Sequence, residues 1–240
     1  MREIFQRIEE NNIVSIEVNI HSFAYSNVNP WLLSVFVKFD VLSETHESYE
    51  ELLETKESLI IALEHNEVSK YVGSRMIDGW CELYFYAQES KSLDALTANI
   101  LSSTSYVYES SIVRDSKWDF HYKNLKPSEL ELCHIESEKI IFLLKEEGDT
   151  LETSRKVEHY ISFELPTQKN RFVNTLELDG FTIKDDIATD EFEHGVALVK
   201  EHAVTSDVMK SMIEILFVQV KKAGGYYEGW STTLVEDSDV

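Results

Sequence analysis

The sequence predicts an α+β protein made of two tandem antiparallel sandwiches, each running strand–helix–strand–strand–helix–strand. Three observations carry that reading. Period-2 and period-3.6 apolar patterns follow one another in the same order twice along the 240 residues. Glycines, prolines and capping residues fall at the joints between those stretches. The length suits two domains of roughly 110–130 residues better than one, with the joint near Leu125–Ser128 and the domains spanning 1–126 and 127–240.

The first half opens with an extra strand or two in "IVSIEVNIHSFAY", followed by the strand "WLLSVFVKFD". "SYEELLETKESLIIALEH" is an amphipathic helix, with Ser48 and Glu51 spaced as a capping box. "KYVGSRMIDGWCELYFYA" predicts two strands around Asp78–Gly79, because Asp-Gly readily takes the positive φ angles of a tight hairpin turn. The helix "SLDALTANILSST" and a strand or strand pair in "YVYESSIVRDSKWDFHY" complete the set.

In the second half, Pro127 and the pair Ser128/Glu131 start a helix, which Leu132, Ile135, Lys139 and Leu143 continue and Gly148 ends. "KVEHYISFEL" alternates as a strand with Val157, His159, Ile161, Phe163 and Leu165 on one face. Pro166 opens a helix that stops at Gly180. "FTIKDD" and "HGVALVKEHAV" are two strands joined by an acidic loop. A long helix from Thr205 or Ser206 ends at Gly224–Gly225, and "YYEGWSTTLV" is the last strand. After the leading helix this is the split β-α-β-β-α-β unit, so both halves are predicted to be ferredoxin-like, the first with added N-terminal strands.

Charge is the strongest compositional fact: 44 acidic against 22 basic residues, a net of −22. Such a field opposes phosphate backbones and anionic lipid and favours a basic protein partner. No apolar run approaches the ~18 residues of a membrane span, and the N-terminal stretch lacks the apolar core of a signal peptide. Cys81 and Cys133 are far apart and form no C-x-x-C pair. A cytoplasmic location is expected.

No residue pattern marks a catalytic or cofactor site. None of the eight histidines stands in a metal-ligand spacing. No G-x-S-x-G elbow is present, and Gly224–Gly225 follow a helix end where a phosphate cradle needs glycines before a helix start. The residues that stand out are contact residues. In "WCELYFYA", Trp80, Tyr84 and Tyr86 lie opposite the core face, with Tyr71 and Arg75 of the preceding strand placed beside them. A sheet with helices on one side leaves that face for another domain, a subunit or a protein partner. Asp185, Asp186, Asp190 and Glu191 crowd the acidic hairpin loop, as a solvated loop or an electrostatic docking element. In the last strand, strict alternation puts Trp230 in the core and Tyr227 and Gly229 on the opposite, open face.

"LLKEEGDTLETSRKVEHYISF", "HGVALVKEHAV" and "KKAGGYYEGWSTTLVED" resemble the bacterial regulator of ribonuclease activity B. The likeness covers about residues 128–240. It implies a small, acidic, ferredoxin-like protein inhibitor that binds ribonuclease E. "GSRMIDGWCELYFYA" and "SKWDFHYKNLKP" resemble an uncharacterised bacterial domain family fused in front of such a domain. The expected function is therefore a non-enzymatic, acidic regulatory protein without a cofactor, whose C-terminal domain binds a ribonuclease or another protein with a basic segment. Two other readings stand beside it: a metal-dependent hydrolase using scattered acidic and histidine side chains, and a small-molecule sensor with an interdomain pocket.

Overall fold

In the computed structural model of the chain, residues 2–39, 47–176, 180–187 and 194–236 are described. Contacts divide the chain into two units, Met1–Lys126 and Pro127–Val240.

The first unit runs β1 (Arg2–Glu9), β2 (Asn12–Asn19), β3 (Trp31–Lys38), α1 (Glu47–Glu64), β4 (Ser69–Ile77), β5 (Trp80–Ala87), α2 (Leu93–Leu101) and β6 (Tyr108–Arg114). Its antiparallel sheet has the order β1-β2-β4-β5-β3-β6. The last four positions are the ferredoxin-like arrangement of β3-α1-β4-β5-α2-β6, and the hairpin β1–β2 extends it beyond β4. Two tight turns set this up. Glu10 and Asn11 both have positive φ (48° and 72°) between β1 and β2, and Asp78 and Gly79 (49° and 77°) do the same between β4 and β5. Leu33, Val35, Leu59, Leu63, Leu83 and Phe85 form the core between the sheet and its helices.

Three expectations shift here. The first extra strand lies upstream of "IVSIEV", at Arg2–Glu9, while Ser22–Tyr25 form a 3-10 turn instead of strand. Helix α1 already includes Glu47, so the backbone of Ser48 lies inside its first turn. The segment after β6 is no second strand: it folds through Trp118 into a π-helical turn, His121–Leu125.

The second unit begins with α3 (Glu129–Glu146), where Ser128 Oγ accepts from the Glu131 N–H and the Glu131 carboxylate accepts from the Ser128 N–H, as the sequence predicts. Then come β7 (Arg155–Phe163), α4 (Pro166–Thr175), β8 (Thr182–Ile187), β9 (His194–His202), α5 (Ser206–Ala223) and β10 (Gly225–Thr232). The sheet order β10-β7-β9-β8 is again ferredoxin-like. Gly224, at φ 82°, closes α5 in the left-handed conformation that glycine adopts without a Cβ penalty. Helix α3 turns Ile135, Ser137 and Ile141 inward, leaving Leu132 and Leu143 in solvent. The stripe expected through those leucines is rotated, because the Trp230 indole N–H donates to Ser137 Oγ at 2.9 Å and so fixes which side of the helix faces β10.

Candidate protein-docking site

The aromatic face of the first unit is closed by its own chain. Tyr86 stacks on Trp118 with ring centroids 3.9 Å apart, and Tyr84 packs on Phe120 at 4.4 Å. The Tyr86 hydroxyl donates to Asp115 at 2.6 Å, and the Trp118 N–H donates to the Asn29 carbonyl at 2.8 Å. The segment 115–125 therefore covers this face, and Tyr84 and Tyr86 are buried instead of open to a second domain, subunit or partner. Tyr71 is on the other side altogether. The β4–β5 register shifts between Tyr71 and Gly73, and that irregularity turns Tyr71 into the helix-side core, where its hydroxyl donates to Glu17 at 2.8 Å. Arg75 does stay with Glu82 on the covered face, paired to Glu9 at 2.5 Å. Trp80 is half-buried, with the Lys38 ammonium 5.9 Å from its ring.

In the second unit a similar irregularity decides the site. The β10–β7 register shifts between Tyr227 and Gly229, so Glu228 is an extra residue and Gly229 takes φ 131°. Strict alternation is broken, and Tyr227 joins Trp230 in the core in place of facing out. Its hydroxyl meets His159 Nδ1 at 2.8 Å, and His159 Nε2 meets His202 Nε2 at 3.2 Å. His202 Nδ1 lies 2.7 Å from the Ala203 carbonyl, which can only accept, so that nitrogen carries the proton. The chain of bonds then has one direction: Tyr227 donates to His159, and His159 donates to His202. Burial, first, and the neighbouring His202 and Lys200 push the His159 imidazole down to about 3. The cluster is a neutral interior network, with His159 sealed from solvent.

The other face of this sheet carries none of the unit's helices among the described residues. It presents Glu158, Tyr160 and Ser162 of β7 beside Tyr226, Glu228 and Ser231 of β10. Tyr160 and Ser231 hydroxyls lie 2.8 Å apart, Tyr226 donates to Glu164 at 3.0 Å, Ser162 donates to Glu228, and Lys184 pairs with Glu158. Where this face meets α3 there is a cleft of about 360 Å³ between the helix and β10. Cys133, Ile140, Tyr227 and Trp230 give it an apolar lining, and the carboxylate-bearing residues Glu136 and Glu228 share its wall. Glu136 is held by Lys139 at 2.8 Å. Burial pushes the Cys133 thiol up to about 11, so it stays protonated near neutral pH and offers no activated nucleophile. An apolar pocket with carboxylates beside it is suited to a side chain with an aliphatic stem and a cationic head.

Of the residues singled out from sequence, only Gly229 belongs to this cleft by its predicted exposure, and Tyr227 reaches it from the core side. Asp185 and Asp186 belong to β8 by their backbone, with side chains outside the described residues. Asp190 and Glu191 lie wholly outside the described residues. Glu136, Tyr160 and Glu228 carry no signal of their own in the sequence, where Leu132 reads only as a helix residue. The glycine before Trp230 was a usable signal, since a glycine inside a strand pattern often marks a bulge. Among the described residues, no three His, Cys, Asp or Glu side chains stand where they could hold one metal ion. No described helix is long and apolar enough to cross a membrane.

The described residues thus form two α+β sandwiches, the second with an apolar cleft bordered by carboxylates. The chain belongs to the family of unknown function DUF695, whose model matches residues 3–125. Residues 134–232 match the model described as regulator of ribonuclease activity B. No curated protein matches the chain.

Proposed function

We propose that this is a non-enzymatic regulatory protein whose second unit binds a ribonuclease, or another protein with a basic segment, in the cleft between α3 and β10. One observation carries the reading: the cleft places Glu136 and Glu228 over an apolar lining, inside the stretch that matches a regulator of ribonuclease activity. A partner arginine or lysine would lay its stem against Trp230 and Ile140 and its charge against the carboxylates. The net charge of −22 would steer such a partner inward and repel the RNA it acts on.

The test is a pull-down from native cytoplasm with the full chain, compared with a Glu136→Lys/Glu228→Lys variant, followed by an RNA-cleavage assay on what is recovered. A ribonuclease component retained by the natural chain, slowed by it, and bound about tenfold less by the variant is the expected result, a pair of charge contacts being worth about 1–2 kcal/mol. Recovery of no ribonuclease component at low and moderate salt overturns the ribonuclease reading. Equal recovery by the variant overturns the cleft.

A further inference from the structure

We propose that the outer edge of β1 pairs antiparallel with β1 of a second copy of this chain, joining two six-stranded sheets into one. Among the described residues β1 has only β2 as a ladder partner. It is eight residues long and in unbroken register, with no proline and no bulge. Proteins that keep such an edge single blunt it by those devices. By contrast, β8 is broken by a register shift and β10 by the bulge beside α3.

The turn fixes which groups are offered. Glu10 and Asn11 form a two-residue loop, so Glu9 and Asn12 exchange hydrogen bonds, and so do Arg7/Val14, Phe5/Ile16 and Glu3/Val18. Arg2, Ile4, Gln6 and Ile8 therefore point their backbone N–H and C=O groups outward. On the same residues, Ile4 and Ile8 are 66% and 76% exposed, and Ile13, directly across from Ile8, is 67% exposed. That is an apolar row on one face beside an open edge.

The charges select a register. Antiparallel self-pairing must set even residues against even ones, so the paired numbers have an even sum, and overlaps of five residues or more sum to 8, 10, 12 or 14; a sum of 14 pairs only residues 5–9 and sets Arg7 against its own copy. A sum of 12 opposes Glu3 to Glu9 of the second copy, two like charges. A sum of 8 pairs only residues 2–6. A sum of 10 pairs residues 2–8, puts Phe5 against its own copy on the twofold axis, and sets Glu3 opposite Arg7 in both directions. On the other face, Ile4 then has Ile4 and Ile8 of the second copy as its diagonal neighbours, so the exposed isoleucines of both copies meet. Within its own chain the Arg7 guanidinium donates to the carbonyls of Asn124 and Lys126 at 3.3 and 3.0 Å and lies 4.0 Å from the Glu9 carboxylate, so its charge is held on this face of the edge strand.

Sedimentation of the full chain tests this. The mass should rise from 27.8 kDa towards twice that between about 1 and about 100 μM protein. Ile4→Lys/Ile8→Lys should stay single-chain. So should Gln6→Pro, whose lost N–H faces outward and leaves the β2 ladder intact; circular dichroism confirms that each variant is folded. Phe142→Lys, an exposed apolar position on α3, should associate like the natural chain. Phe5→Cys should crosslink to its own copy under mild oxidation, whereas Ile8→Cys, about 20 Å from its copy, should not. A natural chain that stays single over the whole range, a dimer that survives both edge variants, or crosslinking at 8 in place of 5 overturns the proposal.

Discussion

Replacing His159 by glutamine removes one titrating group from the sealed Tyr227–His159–His202 chain while keeping an acceptor for Tyr227 and a donor for His202. In the unfolded chain this imidazole titrates at its ordinary 6.5; in the folded chain it is pushed down to about 3. A depressed histidine means that the unfolded state takes the proton first. Its contribution is intact above pH 6.5 and is lost as the pH falls from 6.5 towards 3. The slope is about 1.4 kcal/mol per pH unit, so about 2 kcal/mol disappears between pH 6.5 and 5. His202, lowered chiefly by burial, loses stability in the same direction. The surface carboxylates, and His121 of the first unit, pushed down to about 4, are common to both proteins and cancel in a comparison. Urea titrations from pH 7.5 to 5 should therefore show the stability advantage of the natural chain over His159→Gln shrinking by about 2 kcal/mol. A difference that stays flat across that range refutes the neutral, directional network and the burial argument behind it.

Trp118→Ala should cost the first unit about 3–5 kcal/mol, since it removes a fully buried indole, its stack on Tyr86 and its bond to Asn29; a urea titration reads it. Asp149→Asn should cost about 3–5 kcal/mol in the second unit, because Asp149 and Arg155 are buried together at 0% and 4% side-chain exposure and breaking such a pair strands the arginine. Thermal melts should show that loss as a lower midpoint for the second unit. Gly225→Ala should cost about 1–3 kcal/mol by overpacking, since a Cβ there would run into the Phe163 ring and the Ser162 carbonyl oxygen; a urea titration reads the loss, and the double change Gly225→Ala/Phe163→Leu should remain less stable than Phe163→Leu alone because the backbone contact stays.

How much was legible can be judged from particular elements. The capping box at Ser128, the Asp78–Gly79 turn and the Gly224 helix stop could be read directly, because each depends on a few neighbouring residues. The placement of Tyr71 and Tyr227 could not. Both lie just before a register shift, and one extra residue puts the two sides of a strand out of step, so Tyr71 and Tyr227 take the opposite faces from those that strict alternation with Arg75 and Trp230 predicts. The cover over Tyr84 and Tyr86 was hidden for a different reason: Trp118 comes some thirty residues later, in a segment with no period of its own.

The amino-acid order by itself determined the two α+β units, their element order and the acidic surface, since periodicity, caps and charge are local or additive properties. The tertiary structure decided which aromatic residues are interior, where the cleft beside α3 opens and that β1 and β6 are the edges of the first sheet. Those depend on strand register and on contacts between distant segments, where a single bulge or a single packed indole outweighs the local pattern.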